Sequence, residues 1–279
     1  MVTKQRTPPH VYFVVSAVFH YLGPSFAVLL FAAIEPLGVA WLRIVSAAVI
    51  FAVWRRPWRF LRNRLLLAWG LVLAVMNCCF YLAIDRLPLG TVAAIEFLPV
   101  IVLAALGART PRNIAALVLA VPGVYLLTDV QLAGEPLGVA FAFANAVLFA
   151  LYIVLAHRVS RQPHMSGIDG LAASMLIAAV IATPLAGWAA VPAFDDPVAL
   201  AAGIGVGLTS SVIPYICDQL AMKQLARSTY ALMVSLLPAT AAVIGVLVLG
   251  QVPSAEEVAG VMLVVAGVGL HRAPEPVPA

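Results

Sequence analysis

The chain has 279 residues, of which 63% are hydrophobic and only 10% are charged. This composition excludes an ordinary soluble domain, in which about a quarter of the residues are charged. The three cysteines have neither CxxC nor Cys/His ligand spacing, and the sequence contains no Walker A or HExxH motif. It therefore predicts no metal site, no cofactor and no ATP-driven step.

The apolar residues are arranged in long stretches, and a membrane-spanning helix needs about 20 of them. The first stretch follows Lys4 and Arg6 as in a signal peptide, but its run of about 23 residues exceeds the usual apolar region of about 7–15. We therefore predict that it is retained as a span. In chain order the predicted spans are 11–33, 36–54, 65–84, 89–107, 113–128, 137–157, 168–190, 197–222, 228–249 and 254–271.

The basic residues predict the orientation, because cytoplasmic loops of membrane proteins retain Lys and Arg. If the N-terminus lies inside, every basic residue except Arg86 and the intramembrane Arg43 falls in a cytoplasmic segment. We therefore predict that both termini are cytoplasmic. The basic stretch 55–64 follows Trp54 and contains Trp58, which indicates contact with anionic lipid headgroups rather than nucleic acid.

An internal repeat divides the chain. Residues 77–107 and 213–250 both contain an apolar helix, a turn ending in Gly-Thr or Ser-Thr, and a second apolar helix broken by proline. Each half holds five spans, an odd number, so the halves would cross the membrane in opposite senses. We predict an all-α polytopic membrane protein of two inverted five-helix repeats, an arrangement typical of secondary transporters. The repeats are residues 1–128 and 137–271, followed by a disordered tail at 272–279.

Two charged residues lie inside predicted spans. Arg43 and Glu96 each come seven residues after the outer end of a span, which places both about 10 Å below the membrane surface at a rise of about 1.5 Å per residue. Equal depth and opposite charge predict an Arg43–Glu96 pair, because intramembrane charges are costly unless compensated. The pair is either structural or binds substrate, and one cation with one carboxylate would suit a zwitterionic amino acid.

Other intramembrane polar residues form shared helix faces. His20 in the first span is either a proton relay or substrate contact, or a packed hydrogen-bonded residue. Asn77 and Tyr81 share one face of the third span, and Asn145 and Tyr152 share one face of the sixth. Such side chains either line a site for a small polar solute or join helices.

The eighth span carries Ser211, Tyr215 and Asp218 on one face. Asp218 comes near the cytoplasmic end, where an ion pair with Lys223 is expected. Together, the candidate substrate-binding residues are Glu96, Arg43, Asn77, Tyr81, His20, Asn145, Tyr152 and Ser211.

Several stretches resemble a known family. They are LGPSFAVLLF (22–31), LR (42–43), MN followed by FYLAI (76–84), LPLGTVAAIEF (87–97), SSVIPY (210–215) and PATAAVIGVLVLG (238–250). The chain resembles EamA-type members of the drug/metabolite transporter superfamily, and within them the threonine/homoserine exporter branch. The likeness covers nearly the whole chain.

The resemblance implies an inner-membrane secondary transporter that exports small amino acids by alternating access, coupled to protons. It places Glu96 and Asn77 on helices that line the central cavity. This chain departs from the family pattern in having Leu237 before Pro238 instead of Glu, and one residue fewer between Glu96 and Pro99. An exporter of another metabolite, aromatic amino acid or drug, and a non-transport scaffold, are the alternatives. An enzyme is not expected, because His20 and Ser211 lack catalytic partners.

Overall fold

The computed structural model describes residues 8–107, 110–132, 135–160, 162, 164–222 and 237–270. Every regular element in this part of the chain is helical. The elements are α1 (Pro9–Leu30), α2 (Pro36–Arg55), α3 (Arg64–Ile84), α4 (Leu89–Gly107), α5 (Pro111–Leu132), α6 (Pro136–Ser160), α7 (Gly167–Ala186), α8 (Pro197–Gly207), α9 (Ile213–Met222), α10 (Leu237–Leu249) and α11 (Ala255–Leu270).

Short irregular helices complete three of the connections. A 3₁₀ turn, Pro57–Phe60, follows α2, and another, Gly187–Phe194, follows α7. A π-helical turn, Leu208–Val212, joins α8 to α9, so that these three elements form one continuous span. The interruption matters because π turns inside α-helices are frequent at functional sites.

Six helical segments of the described chain are long and apolar enough to cross a membrane. Backbone polar groups have no water to bond in hydrocarbon, so a helix, which satisfies them internally, is the expected element. The six are Val11–Leu30, Pro36–Arg55, Arg64–Ile84, Pro136–Ala156, Gly167–Phe194 and Pro197–Asp218. The prediction of an all-helical, multi-span protein is confirmed, and the helices fit the ten predicted spans. Lys223, the repeat segment at Thr229 and the tail 272–279 lie outside the described residues.

Proline begins many of these helices: Pro9, Pro36, Pro111, Pro136 and Pro197 each occupy the first position. Proline is favoured there because the first-turn N–H groups have no intrahelical acceptor and its fixed φ suits the helix. The positions of these prolines explain why the predicted and observed starts agree to within about two residues.

The helices pack so that several elements meet at one place in the interior. Helix α2 packs on α7 and α8, α3 on α6 and α7, and α1 on α9 and α10. Helix α4 lies against α6 and α10, and α5 lies along α11. Both α1 and α2 contact the π turn, which brings the polar residues of α1, α2 and the eighth span together.

Candidate substrate site

Arg43 is buried in the middle of α2, with 6% of its surface exposed. Its Nε donates a hydrogen bond to the Ser211 hydroxyl at 3.0 Å, and its Nη2 donates to the Ser210 carbonyl at 3.1 Å. The guanidinium lies 5.6 Å from the centre of the Tyr81 ring. The ion pairs among the described residues are Arg55–Asp169 and Arg86–Asp85. Arg43 is therefore a buried cation held by neutral groups.

Close helix packing brings the guanidinium to the π turn. A β-carbon at Gly207 would lie 2.8 Å from the Arg43 carbonyl oxygen, so only glycine lets α2 and α8 approach this closely. The turn bonds from residue i to i+5 instead of i+4. The Ser210 carbonyl within this turn accepts a hydrogen bond from Arg43 of another helix.

Glu96 on α4 is held by a different helix. Its Oε1 accepts a hydrogen bond from Asn145 Nδ2 on α6 at 3.2 Å, and Asn145 is fully buried. The predicted direct pair with Arg43 is not formed: Arg43 bonds to Ser210 and Ser211, and Glu96 bonds to Asn145. The two residues still lie close enough to interact electrostatically, so the structure brings both into one interior region.

Two tyrosines lie beside the guanidinium. Tyr81 on α3 is fully buried, and its hydroxyl lies close to Arg43 and Ser210 without a hydrogen bond of regular geometry to either. Tyr215 on α9 is close enough to interact electrostatically with Arg43 and Glu96. The phenol hydroxyls add donors and acceptors to a region that already contains one charge of each sign.

His20 reaches the same region through aromatic contacts. Its ring centre lies 6.1 Å from that of Tyr215 in an edge-on arrangement and 5.9 Å from that of Tyr21. Edge-to-face geometry of this kind is favourable between aromatic rings. His20 therefore lies on the face of α1 that contacts the eighth span.

Asp218 joins α9 to α1. The Ser16 hydroxyl lies 2.6 Å from Asp218 Oδ1 and 3.2 Å from the Pro214 carbonyl oxygen. The expected partner Lys223 lies outside the described residues. Asp218 is thus tied to a neighbouring span, one helical turn from the contact between His20 and Tyr215.

Asn77 and Tyr152 are placed differently from the other candidates. Asn77 donates to the Leu73 carbonyl of its own helix at 2.8 Å. The Tyr152 ring lies 5.7 Å from that of Trp69 and stacks on Phe149 at 5.9 Å. Tyr152 belongs to an aromatic row that crosses α4, α6 and α3. The row consists of Phe97, Phe149, Tyr152 and Trp69.

Sequence reasoning misses Ser210. Its fully buried hydroxyl has no hydrogen-bond partner, while its carbonyl accepts from Arg43. The available signal was the Ser-Ser pair ahead of Pro214 within an apolar span. Both serines contact Arg43, Ser211 through its hydroxyl and Ser210 through its carbonyl, and helical spacing alone does not predict a contact through the backbone.

The comparison with known proteins decides the family. The EamA-like transporter family matches residues 136–272. The threonine/homoserine exporter RhtA of Salmonella typhimurium is 32% identical over 239 residues, which cover 82% of this chain and 79% of the relative. The Escherichia coli K12 exporter of the same name is 31% identical with the same coverage. The chain belongs to the EamA-like transporter family.

This membership confirms the resemblance seen in the sequence. The EamA-family chain is a multi-pass transporter of the inner membrane, not an enzyme. A crystal structure of another protein superposes on this chain with a TM-score of 0.61 at 18% identity. The superposition covers 93% of this chain and 96% of the other, and it shows that the two share a fold.

Proposed function

We propose that the protein is a secondary transporter that exports small amino acids of the threonine and homoserine class. Its relatives in Salmonella typhimurium and Escherichia coli are threonine/homoserine exporters, which supports this substrate class. The observation that carries the proposal is the state of Arg43, a buried cation whose hydrogen-bond partners are the neutral Ser210 and Ser211. Glu96 lies within electrostatic range and bonds to the neutral Asn145.

Buried charges favour a ligand that compensates both of them. A charge inside a membrane protein is costly and normally pairs with an opposite charge. The α-carboxylate of an amino acid would compensate Arg43, and its ammonium would compensate Glu96. A zwitterion satisfies both at once, whereas a simple cation or anion satisfies only one.

Alternating access follows from two inverted repeats, residues 1–128 and 137–271, with both termini cytoplasmic. The packing supports such symmetry, since α2 with α7, α4 with α10 and α5 with α11 are pairs between equivalent spans of the two halves. The contact of α3 with α6 has its counterpart in the contact of the eighth span with α1, because α3 is equivalent to the eighth span and α6 to α1. A site between inverted repeats can open to either side as the repeats rock.

Glu96 is the candidate group for proton coupling. Protonation of its carboxyl removes the negative charge that holds the substrate ammonium, so proton binding and substrate binding compete at one residue. A proton entering from outside would then release the amino acid outward. This competition is what a proton-driven exporter requires.

An aromatic amino acid, another metabolite or a drug is the alternative substrate. The aromatic row of Phe97, Phe149, Tyr152 and Trp69 favours it, because Phe149 lies one helical turn from Asn145, the residue that bonds to Glu96. The same two charged residues would hold the backbone of an aromatic amino acid.

The test is efflux from cells preloaded with labelled threonine, homoserine and a panel that includes phenylalanine. The wild type is compared with Glu96→Gln and Arg43→Gln. The control is Arg86→Gln, which removes an arginine paired with Asp85 outside this site. We expect wild-type cells to export threonine or homoserine faster than empty-vector cells, and the two site variants to lose this at equal membrane abundance. Acceleration of phenylalanine alone would favour the alternative, and no acceleration of any amino acid would refute the proposal.

A further inference from the structure

Four buried side-chain atoms in the described part of the chain have no hydrogen-bond partner. They are Trp69 Nε1, Tyr81 Oη, Asn145 Oδ1 and Ser210 Oγ. Their side chains are almost completely enclosed, since Trp69 is 3% exposed and the other three are 0% exposed. Such groups are rare because a buried donor or acceptor without a partner destabilises the fold.

Three of these four atoms lie at the two charged residues of the site. The hydroxyls of Tyr81 and Ser210 lie beside Arg43, the first close to its guanidinium and the second on the residue whose carbonyl Arg43 binds. Asn145 Oδ1 belongs to the amide whose Nδ2 donates to Glu96. The unused hydrogen-bonding capacity is therefore concentrated where the proposed substrate would lie.

The chemistry of each unused atom matches the charge next to it. A hydroxyl can donate a hydrogen bond, and the two free hydroxyls adjoin the cation, where a carboxylate would need donors. An amide oxygen can only accept, and it adjoins the carboxylate, where an ammonium would need acceptors. The amide orientation follows from the contact with Glu96, since a carboxylate oxygen requires the NH₂ side of Asn145.

We propose that Tyr81 and Ser210 donate to the substrate carboxylate together with Arg43, and that Asn145 accepts from the substrate ammonium together with Glu96. This inference deepens the proposed function and rests on it. The substrate class becomes α-amino acids in which both charged groups are free. Amino alcohols lack the negative charge and the second acceptor oxygen that Arg43, Tyr81 and Ser210 would bind, and hydroxy acids lack the ammonium donors that Asn145 would accept from.

The fourth unpartnered atom provides a matched control. Trp69 lies in the aromatic row and not beside either charge. The change Trp69→Phe removes a buried unpartnered polar atom and keeps an aromatic ring, as Tyr81→Phe does. The two variants differ in the position of the lost polar atom relative to Arg43 and in the size of the ring that remains, and the ratio of inhibition constants separates the first effect from a general effect of the smaller ring.

The experiment measures transport in proteoliposomes and its inhibition by three unlabelled compounds. They are threonine, threoninol, which lacks the carboxylate, and 3-hydroxybutyrate, which lacks the ammonium. For each variant the readout is the ratio of inhibition constants, so a general loss of active protein cancels. The variants are Tyr81→Phe, Ser210→Ala, Asn145→Leu and the control Trp69→Phe.

We expect Tyr81→Phe and Ser210→Ala each to weaken inhibition by threonine about tenfold, as expected for the loss of a hydrogen bond to a charged group. Inhibition by threoninol should not change in either variant. Asn145→Leu should weaken threonine and threoninol but not 3-hydroxybutyrate, and Trp69→Phe should keep the wild-type ratios. Equal weakening of threonine and threoninol by Tyr81→Phe and Ser210→Ala, or no change in either, would overturn the inference. Failure of the wild type to transport threonine or homoserine would instead refute the proposed function before any variant is compared.

Discussion

The Ser16 hydroxyl on α1 donates a hydrogen bond of 2.6 Å to the Asp218 carboxylate on α9. The same hydroxyl lies 3.2 Å from the Pro214 carbonyl oxygen, so it bridges two turns of α9. One helical turn further along each helix, His20 contacts the Tyr215 ring. The α1–α9 contact is therefore polar at one level and aromatic at the next.

Loss of the Ser16 hydroxyl should loosen this contact. Hydrogen bonds to charged groups contribute about 1.5–3 kcal/mol, and Cys217, next to Asp218, is a free thiol that reports local opening. In a Cys78→Ser/Cys79→Ser background we expect Ser16→Ala to raise the rate of maleimide labelling of Cys217 about tenfold. The matched control is Ser25→Ala, because Ser25 bonds only to the Tyr21 carbonyl of its own helix. Equal labelling rates in the Ser16 and Ser25 variants would show that the contact does not restrict opening.

Lysine should not replace Arg43. The guanidinium reaches Ser211 with Nε and the Ser210 carbonyl with Nη2, and a single ammonium cannot reproduce two bonds in a fixed fork. We expect Arg43→Lys to raise the KM for amino-acid export about tenfold or more at equal expression, as expected when one hydrogen bond to a charged group is lost. Ser211→Ala, which removes only one of the two partners, should have a smaller effect. Wild-type KM in the lysine variant would show that charge alone is sufficient.

Hydropathy predicts the helical spans well, because hydrocarbon forces the backbone to bond within each segment. Helical periodicity also predicts which residues share a face, and Ser16 and His20 do face the eighth span together. Depth along a helix does not fix rotation about its axis or the identity of the neighbour. Arg43 and Glu96 therefore share a region without pairing.

Sequence spacing also does not predict which residues of distant spans bond to each other. The bond from Asn145 to Glu96 joins two helices whose contact depends on the whole packing. Asn77 shows the converse, since a polar residue on the expected face bonds to its own Leu73 carbonyl. The π turn that brings Ser210 to Arg43 changes the helical spacing itself.

Glycine at the contact of α1 with the π turn should be required. A β-carbon at Gly23 would lie 2.9 Å from the Ser210 backbone nitrogen, and a backbone atom cannot move aside as a flexible side chain can. We expect Gly23→Ala to lower the free energy of unfolding by about 1–3 kcal/mol, the usual effect of overpacking. Gly205→Ala is the control, since nothing lies within 4 Å of its β-carbon position. Alanine there should be neutral or stabilise by about 0.5–1 kcal/mol, and thermal unfolding in detergent measures both.

The turn after α2 should bind anionic lipid. Trp54 and Trp58 are 51% and 59% exposed, which suits aromatic side chains at a membrane interface. Arg55 forms an ion pair with Asp169, with 2.7 Å between Nη2 and Oδ1. No ion pair with a described residue is made by Arg56, Arg59 or Arg62. Each basic residue near an anionic membrane surface contributes about 1 kcal/mol. We expect glutamine at Arg56, Arg59 and Arg62 together to weaken binding of phosphatidylglycerol about a hundredfold, measured as retention in native mass spectrometry.

The backbone at Arg56 allows a finer comparison of charge with conformation. Its φ of 49° lies in the left-handed region, which glycine adopts without strain. Arg56→Gly therefore removes the charge and relieves the backbone, whereas Arg56→Gln removes the charge alone. If the charge binds the headgroup, we expect both variants to retain equally less phosphatidylglycerol than the wild type. Retention of phosphatidylcholine should not change. Unchanged retention in both variants would mean that Arg56 adopts its left-handed conformation only to turn the chain.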